Sequence, residues 1–117
     1  MTRSKRWFGL LILAFLAFWS VLPAFGQNQD ILVISAEGPV NQVMAAYFER
    51  GVAEAERTDA SALIVELDTP GGALDITFDI IQLFQNSDVP VIVYITPEGA
   101  QAASAGSLIL LAGHAAG

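Results

Sequence analysis

Three short, mostly aliphatic runs constrain the fold of this chain more than any other feature of its sequence. They lie at residues 31–34, 62–67 and 90–95 and are rich in Ile and Val, the branched residues that favour strands. After each run, apolar residues recur with helical spacing or form an apolar stretch. The expected helices cover residues 40–57, 73–85 and 102–112. The chain from residue 31 onward therefore alternates strand and helix three times.

This alternation predicts an α/β fold built on a parallel sheet. The strands are continuous apolar runs rather than alternating ones, which is typical of a parallel sheet covered on both faces. Right-handed crossovers are expected between successive strands. In the second helix, the spacing places four apolar side chains on the predicted buried side: Leu74, Phe78, Ile81 and Phe84.

Charge is distributed unevenly along the chain, and this restricts the possible partners. All 12 acidic residues lie from Asp30 onward, where Arg50 and Arg57 are the only basic residues. A surface that acidic repels nucleic-acid phosphates, so a nucleic-acid partner is excluded. The chain has no cysteine and a single histidine, His114, so the sequence predicts neither a metal site nor a cofactor.

The first 26 residues have the composition of a targeting segment. Basic residues stand at positions 3, 5 and 6, an uncharged apolar span follows at 7–22, and small residues flank Phe25. We expect a secretory signal peptide that is cleaved after Gly26. An uncleaved membrane anchor is the alternative, although at ~1.5 Å per residue the span falls short of a ~30 Å hydrocarbon core. In either case we expect residues 27–117 on the extracytoplasmic, periplasmic face of the membrane, exported or anchored there.

Two motifs of small residues follow predicted strands, at the edge of a parallel sheet where ligands usually bind. The first is Asp-Thr-Pro-Gly-Gly at 68–72, and the second is Ala-Ala-Ser-Ala-Gly at 102–106. Two glycines that lead into a helix expose backbone N–H groups, which can stabilise an oxyanion. A plain strand-to-helix turn is the alternative for the first motif. A phosphate loop is not supported, because the Gly-x-x-x-x-Gly-Lys pattern is absent.

Ser104 is the candidate nucleophile of the second motif. Its small neighbours leave room for a substrate backbone, and the N–H of Ala105 can donate to an oxyanion. The alternative is an ordinary serine that caps the helix. Ser107 is a second candidate nucleophile, but we expect it to point along the helix and into packing.

A catalytic serine needs a neighbouring base, and the sequence offers few. His114 follows the third helix, roughly 15 Å from Ser104 at ~1.5 Å per residue, and is expected to cap or follow that helix. The only lysine, Lys5, lies in the predicted signal peptide. Asp68 and Asp75 are acids near the glycine turn, and Asp75 is expected in the first turn of the second helix. The sequence therefore contains no complete catalytic set.

The two motifs together are more specific than either alone. The segments at 65–72, 91–95 and 99–106 resemble the NfeD-type membrane-associated serine proteases, which belong to the Clp protease/crotonase superfamily with the signal peptide peptidase A group. The resemblance runs from about Ile31 to the end of the chain. It implies an α/β fold of the Clp protease/crotonase type, a β-α spiral with mostly parallel strands. Residues 27–117 would be the amino-terminal part of that protease domain, with the spiral incomplete.

The resemblance also implies a serine–lysine dyad with Ser104 as the nucleophile. The backbone N–H groups of Gly71 and Ala105 match the oxyanion-hole positions of the family, and Gly72 lies beside them. A desolvated lysine loses its proton near neutral pH and can act as the base. In the family this lysine follows the serine by some tens of residues, whereas this sequence ends at Gly117. We therefore expect an amino-terminal fragment that is inactive alone.

The sequence thus leads to a main hypothesis and two alternatives. The main one is a membrane-associated or periplasmic serine endopeptidase that cleaves apolar peptide segments of membrane proteins. The resemblance suggests stomatin- or prohibitin-like partners and a homo-oligomer when the protein is complete. One alternative is a non-catalytic scaffold, or pseudoprotease, of the same fold. The other is an acyl-CoA enzyme of the crotonase branch, which the signal peptide and the serine motif disfavour.

Overall fold

The predicted alternation of strands and helices is confirmed by the structure, a computed structural model that describes residues 30–117. The signal peptide or anchor predicted for residues 1–26 lies outside the described residues. In chain order the elements are β1 (Ile31–Glu37), α1 (Gln42–Arg57), β2 (Ala62–Asp68), α2 (Leu74–Gln85), β3 (Val91–Ile95), α3 (Ala105–Ala112) and β4 (Ala115–Ala116). The third helix begins at Ala105 rather than at residue 102, and the short β4 was not predicted as a strand.

The strands form one parallel sheet in the order β1-β2-β3-β4, so each strand pairs with the next one along the chain. In register, Ile34 lies beside Val65, and Val65 lies beside Val93. These three side chains are buried and join the core with residues from all three helices. The Phe48 ring of α1 meets the Phe84 ring of α2 at 5.3 Å between centroids, which ties the first two helices together.

The prediction that both faces of the sheet are covered is wrong for the described residues. Burial alternates along β1, and Ile31 and Val33 remain 54% and 51% exposed. Tyr94 of β3 is 50% exposed on the same, open face. The reason lies in the strand order, because right-handed crossovers between neighbouring strands added in one direction place every helix on one face. The sheet therefore has one helix-covered face and one open face.

The apolar side predicted for α2 is only partly buried. In α2, Ile76, Ile80 and Phe84 are buried, whereas Leu74 and Phe78 are 55% and 52% exposed. The predicted buried side of α2 was therefore wrong for Leu74 and Phe78. The helix carries two neighbouring apolar stripes, and the stripe of Ile76 and Ile80 is the one that joins the core. Within residues 30–117, every helix is too short or too polar to span a bilayer.

Two single-residue bridges join the turns that follow the strands. Val40, after β1, pairs in parallel with Gly72, after β2, and Thr69 pairs in parallel with Ala102, after β3. The Val40 N–H donates to the Gly71 carbonyl at 2.9 Å, and the Thr69 N–H donates to the Gln101 carbonyl at 2.7 Å. These bridges hold the three turns side by side at one end of the sheet, where both sequence motifs lie.

Candidate active site

The structure brings the two motifs into direct contact through Gly71. This residue lies in the glycine turn (residues 70–72) and approaches the serine turn (residues 101–104). This buried glycine has φ +101°, a conformation that favours residues without a Cβ. A Cβ added there would lie 2.8 Å from the Ser104 Cβ and 2.9 Å from the Ala103 carbonyl oxygen. Glycine is therefore needed both for its backbone angle and for the close approach of the serine turn.

The N–H of Gly71, a predicted oxyanion donor, already has a partner. It donates to the buried Thr69 hydroxyl at 3.1 Å. The N–H of the exposed Gly72 has no acceptor among the described residues. A Cβ on Gly72 would overlap the Val40 carbonyl oxygen, so this glycine is also required by packing. The oxyanion role of Gly71 stays a prediction, and Gly72 is the glycine of this turn whose N–H is free.

Ser104 stands immediately before α3 in an unusual backbone conformation. Its φ of 52° and ψ of −119° match the first central position of a type II′ turn, which glycine normally occupies. Such angles cost of the order of 1–3 kcal/mol in a residue with a side chain. The Ser104 side chain is exposed and makes no capping hydrogen bond. The alternative of a helix-capping serine is therefore not what the structure shows.

The other predicted donor, the N–H of Ala105, lies at the first position of α3. No described residue accepts a hydrogen bond from it. The N–H groups at a helix start point away from the helix and carry its positive end. Ser107, one turn on, is exposed and donates its hydroxyl to the Ala102 carbonyl at 2.7 Å. Our expectation that Ser107 would be packed was wrong, because its hydroxyl caps that carbonyl at the surface instead.

Of the candidate acids and the histidine, His114 and Asp68 have structural partners. The His114 N–H donates to the Val91 carbonyl at 2.8 Å, and its Nδ1 accepts from the Val91 N–H at 3.1 Å. His114 therefore lies at the start of β3, at the opposite end of that strand from the serine turn. Asp68 accepts from the Gln101 N–H at 3.0 Å, and Asp75 lies in the first turn of α2 as predicted. Within residues 30–117, no base contacts Ser104 and no three acids or histidines are arranged to hold a metal.

Sequence reasoning missed the part that Thr69 plays in this site. The residue is fully buried and links the glycine turn to the serine turn. A signal was available, because a threonine two residues before a glycine can accept the N–H of that glycine in a local turn. The position directly before Pro-Gly-Gly would have identified it.

The arrangement of parallel strands and helices resembles known serine proteases. The 1510-N membrane-bound stomatin-specific protease, in a serine-to-alanine variant, matches with a TM-score of 0.73 at 40% identity, over 74% of this chain and 42% of that chain. A lysine-to-alanine variant of the same protease, in complex with a substrate peptide, matches with a TM-score of 0.73 at 41% identity, over 74% and 40%. A variant of ClpP1 from Listeria monocytogenes matches with a TM-score of 0.63 at 22% identity, over 69% and 46%. The class is therefore the Clp protease-like fold, as the sequence predicted.

Sequence comparisons then identify the family within this class. The family described as NfeD1b, N-terminal domain, matches residues 30–115, so the chain belongs to that family. The "Membrane-bound protease PH1510" of Pyrococcus horikoshii is 40% identical over 105 residues, which are 90% of this chain and 23% of that protein. The "Membrane protein NfeD1b" of Bacillus subtilis is 32% identical over 90 residues, which are 77% of this chain and 20% of that protein. The chain thus spans about a quarter or less of these curated relatives.

Proposed function

We propose that this chain carries the nucleophile and oxyanion-binding turns of a membrane-associated serine endopeptidase of the serine–lysine type. The observation that carries the proposal is the conformation of Ser104. The residue has positive φ, a free hydroxyl and close contact with Gly71. A strained serine at a strand-to-helix turn, held against a glycine turn, is what an exposed nucleophile requires.

In this proposal the Ser104 Oγ attacks the carbonyl carbon of a peptide bond while its proton passes to a base. The carbonyl oxygen becomes an oxyanion and accepts hydrogen bonds from the free N–H groups of Ala105 and Gly72. The donor role predicted for Gly71 from sequence stays a prediction, and this proposal uses Gly72 because the Gly71 N–H is bonded to Thr69. The C–N bond then breaks, the amine leaves with the proton, and water releases the acyl group from the serine.

The base in this proposal is a lysine from outside the described residues, which contain Arg50 and Arg57 but no lysine. A lysine desolvated beside the site would have its pKa lowered, so that its neutral amine could accept the serine proton. Support comes from the Pyrococcus horikoshii protease, of which both a serine-to-alanine variant and a lysine-to-alanine variant with a substrate peptide are known.

The substrates we propose are apolar peptide segments, with stomatin-like membrane proteins as the partner class. The relative with 40% identity is stomatin-specific, which supports this assignment. Leu74 and Phe78 also support it, because they expose apolar side chains on α2 directly after the glycine turn. We further propose an extracytoplasmic location and a homo-oligomer for the whole protein.

The test compares hydrolysis of an apolar peptide, taken from a stomatin-like protein, by the full-length protein and by its Ser104→Ala variant. We expect kcat/KM to fall at least about 1000-fold, because the nucleophile is lost. Ser107→Ala is the matched control, since it removes the neighbouring hydroxyl and should leave hydrolysis intact. Unchanged hydrolysis in Ser104→Ala, or loss only in Ser107→Ala, would refute the proposal. Absence of hydrolysis in the parent protein would favour the scaffold alternative.

A further inference from the structure

We propose that Thr69 is a positioning residue that orients the glycine turn, which contacts Ser104 through Gly71, so that the Gly72 N–H stays free. For its effect on catalysis, this role depends on the proposed function. Its structural part does not, because the hydrogen bonds that define it are independent of any reaction.

The burial of the Thr69 hydroxyl is the first reason. Among the described residues, Thr69 and Thr77 are the two buried polar side chains. A buried hydroxyl is unfavourable unless it is hydrogen-bonded. The Thr77 hydroxyl satisfies this inside α2, by donating to the Ala73 carbonyl at 2.8 Å. The Thr69 hydroxyl instead accepts the N–H of Gly71. The Thr69 hydroxyl is therefore tied to the glycine turn, whereas the Thr77 hydroxyl is tied to the helix that contains it.

Thr69 also contacts the serine turn, through its backbone and its methyl group. Its N–H donates to the Gln101 carbonyl at 2.7 Å, and its carbonyl accepts from the Ala103 N–H at 3.0 Å. A Cβ added to Gly106 would lie 2.5 Å from the Thr69 Cγ2, so the methyl group packs against the first turn of α3. One residue therefore fixes the glycine turn with its hydroxyl and the serine turn with its other groups.

The orientation of the free N–H follows from the geometry of one peptide unit. The Gly71 carbonyl and the Gly72 N–H belong to the same trans peptide and point in opposite directions. The Val40 N–H holds that carbonyl at 2.9 Å, so the Gly72 N–H points away from Val40. Thr69 holds the preceding N–H, that of Gly71, at 3.1 Å. With both ends of Gly71 held, the following N–H has a fixed direction.

The test separates the hydroxyl of Thr69 from its shape. In the full-length protein, Thr69→Val keeps the branched shape and removes the acceptor, whereas Thr69→Ser keeps the acceptor and removes the methyl group. We expect Thr69→Val to lower kcat about 10- to 100-fold with little change in KM, because a misplaced donor weakens only the transition state. Thr69→Ser should keep kcat near the parent value. Thr77→Val is the matched control, since it removes the other buried hydroxyl and should leave kcat unchanged.

A second readout does not depend on activity. Amide hydrogen exchange at Gly71 should be faster in Thr69→Val than in Thr69→Ser or Thr77→Val, because the acceptor of that N–H is missing. If Thr69→Val does not fold, Thr69→Ala replaces it, because Thr69→Ala and Thr69→Ser differ only in the hydroxyl. Equal kcat and equal exchange in the variants with and without the hydroxyl would overturn the proposal. If the parent protein does not hydrolyse peptides, the proposed function fails, and the exchange at Gly71 alone decides the role of Thr69.

Discussion

The starts of α1 and α3 show two opposite uses of a polar residue before a helix. Asn41, before α1, has extended backbone angles, and its Oδ1 accepts the Met44 N–H at 3.0 Å. Ser104, before α3, has positive φ, and its hydroxyl makes no capping bond. Both residue types are frequent helix caps. The backbone angle, rather than the residue type, therefore decides whether the side chain serves the helix or is left for another use.

The start of α3 is held by its surroundings in the absence of a capping side chain. The Gly106 N–H bonds to the Ala103 carbonyl at 2.9 Å, and the Ser107 N–H bonds to the Ser104 carbonyl at 3.0 Å. Thr69 accepts the Ala103 N–H from the neighbouring turn. A strained residue persists only where neighbouring structure determines it in this way. The α1 start needs no such support, because its own side chain provides the cap.

The largest expected effect comes from closing the space around the serine turn. Gly71→Ala should lower the free energy of unfolding by roughly 3 kcal/mol, because it combines an unfavourable φ with overlap onto Ser104. Gly38→Ala is the matched control near α1. Gly38 has φ +105° but nothing within 4 Å of an added Cβ, so it should lose only about 1–2 kcal/mol. Urea denaturation of the full-length variants measures both. Equal losses would show that the serine turn is no more tightly packed than the turn before α1.

The cost of the strained backbone at Ser104 can be measured by replacing the serine with glycine, which relieves the strain. Ser104→Gly should be more stable than Ser104→Ala by about 1–2 kcal/mol, because glycine adopts these angles without penalty. At Asn41 we expect no such gain. Asn41→Gly should be no more stable than the parent protein, because it loses a cap and relieves no strain. Thermal unfolding of the Ser104 and Asn41 variants compares the two helix starts. Equal stability of Ser104→Gly and Ser104→Ala would contradict a strained serine.

The ordinary cap of α1 should matter for stability and not for catalysis. Asn41→Ala should lower the free energy of unfolding by about 1 kcal/mol, because the Met44 N–H loses its acceptor. Asn41→Asp, which keeps an acceptor oxygen, is the control and should lose little. Hydrolysis by Asn41→Ala should equal that of the parent protein at temperatures where both are folded. A catalytic defect in this variant would remove the contrast with Ser104.

The smallest effect is expected at the other end of α1, where Arg57 pairs with Glu54 at the surface. The hydrogen bond from Arg57 lowers the pKa of the Glu54 carboxyl below its ordinary value of 4.5. A lowered pKa stabilises the fold above the ordinary value, and this contribution is lost as the pH falls through the lowered pKa. Arg57→Ala should therefore raise the pKa of Glu54 towards 4.5 without a measurable change in stability at pH 7, because the pair is exposed. An NMR titration of Glu54 measures the shift, and an unchanged pKa would show that the pair does not form in solution.

The sequence predicted the order of the elements because short apolar runs and helical spacing are local signals. It did not predict the open face of the sheet, because Ile31 and Val33 look the same in a strand covered on one face or on two. It also assigned Leu74 and Phe78 to the buried side of α2. Two adjacent apolar stripes satisfy the same helical period, and only the packed structure shows which one is used.

The meeting of the two motifs was predictable, because the carboxyl ends of adjacent parallel strands lie at one edge of the sheet. The backbone angles of Ser104 were not, because its sequence neighbours also fit an ordinary cap. The engagement of the Gly71 N–H was also missed. The position of Thr69 directly before Pro-Gly-Gly indicated this local hydrogen bond, and only the burial of its hydroxyl was beyond the sequence.

The two bridges between the turns have a consequence for recombination between relatives. Val40 and Thr69 each pair with the turn that follows the next strand, so the candidate site draws on the turns after three successive strands. Recombination between these strands would join a turn from one parent to a partner turn from the other. The glycine turn tolerates little misfit, because a Cβ at Gly72 would already overlap Val40. Functional chimeras should therefore inherit residues 38–106 as one block, with exchange points outside it.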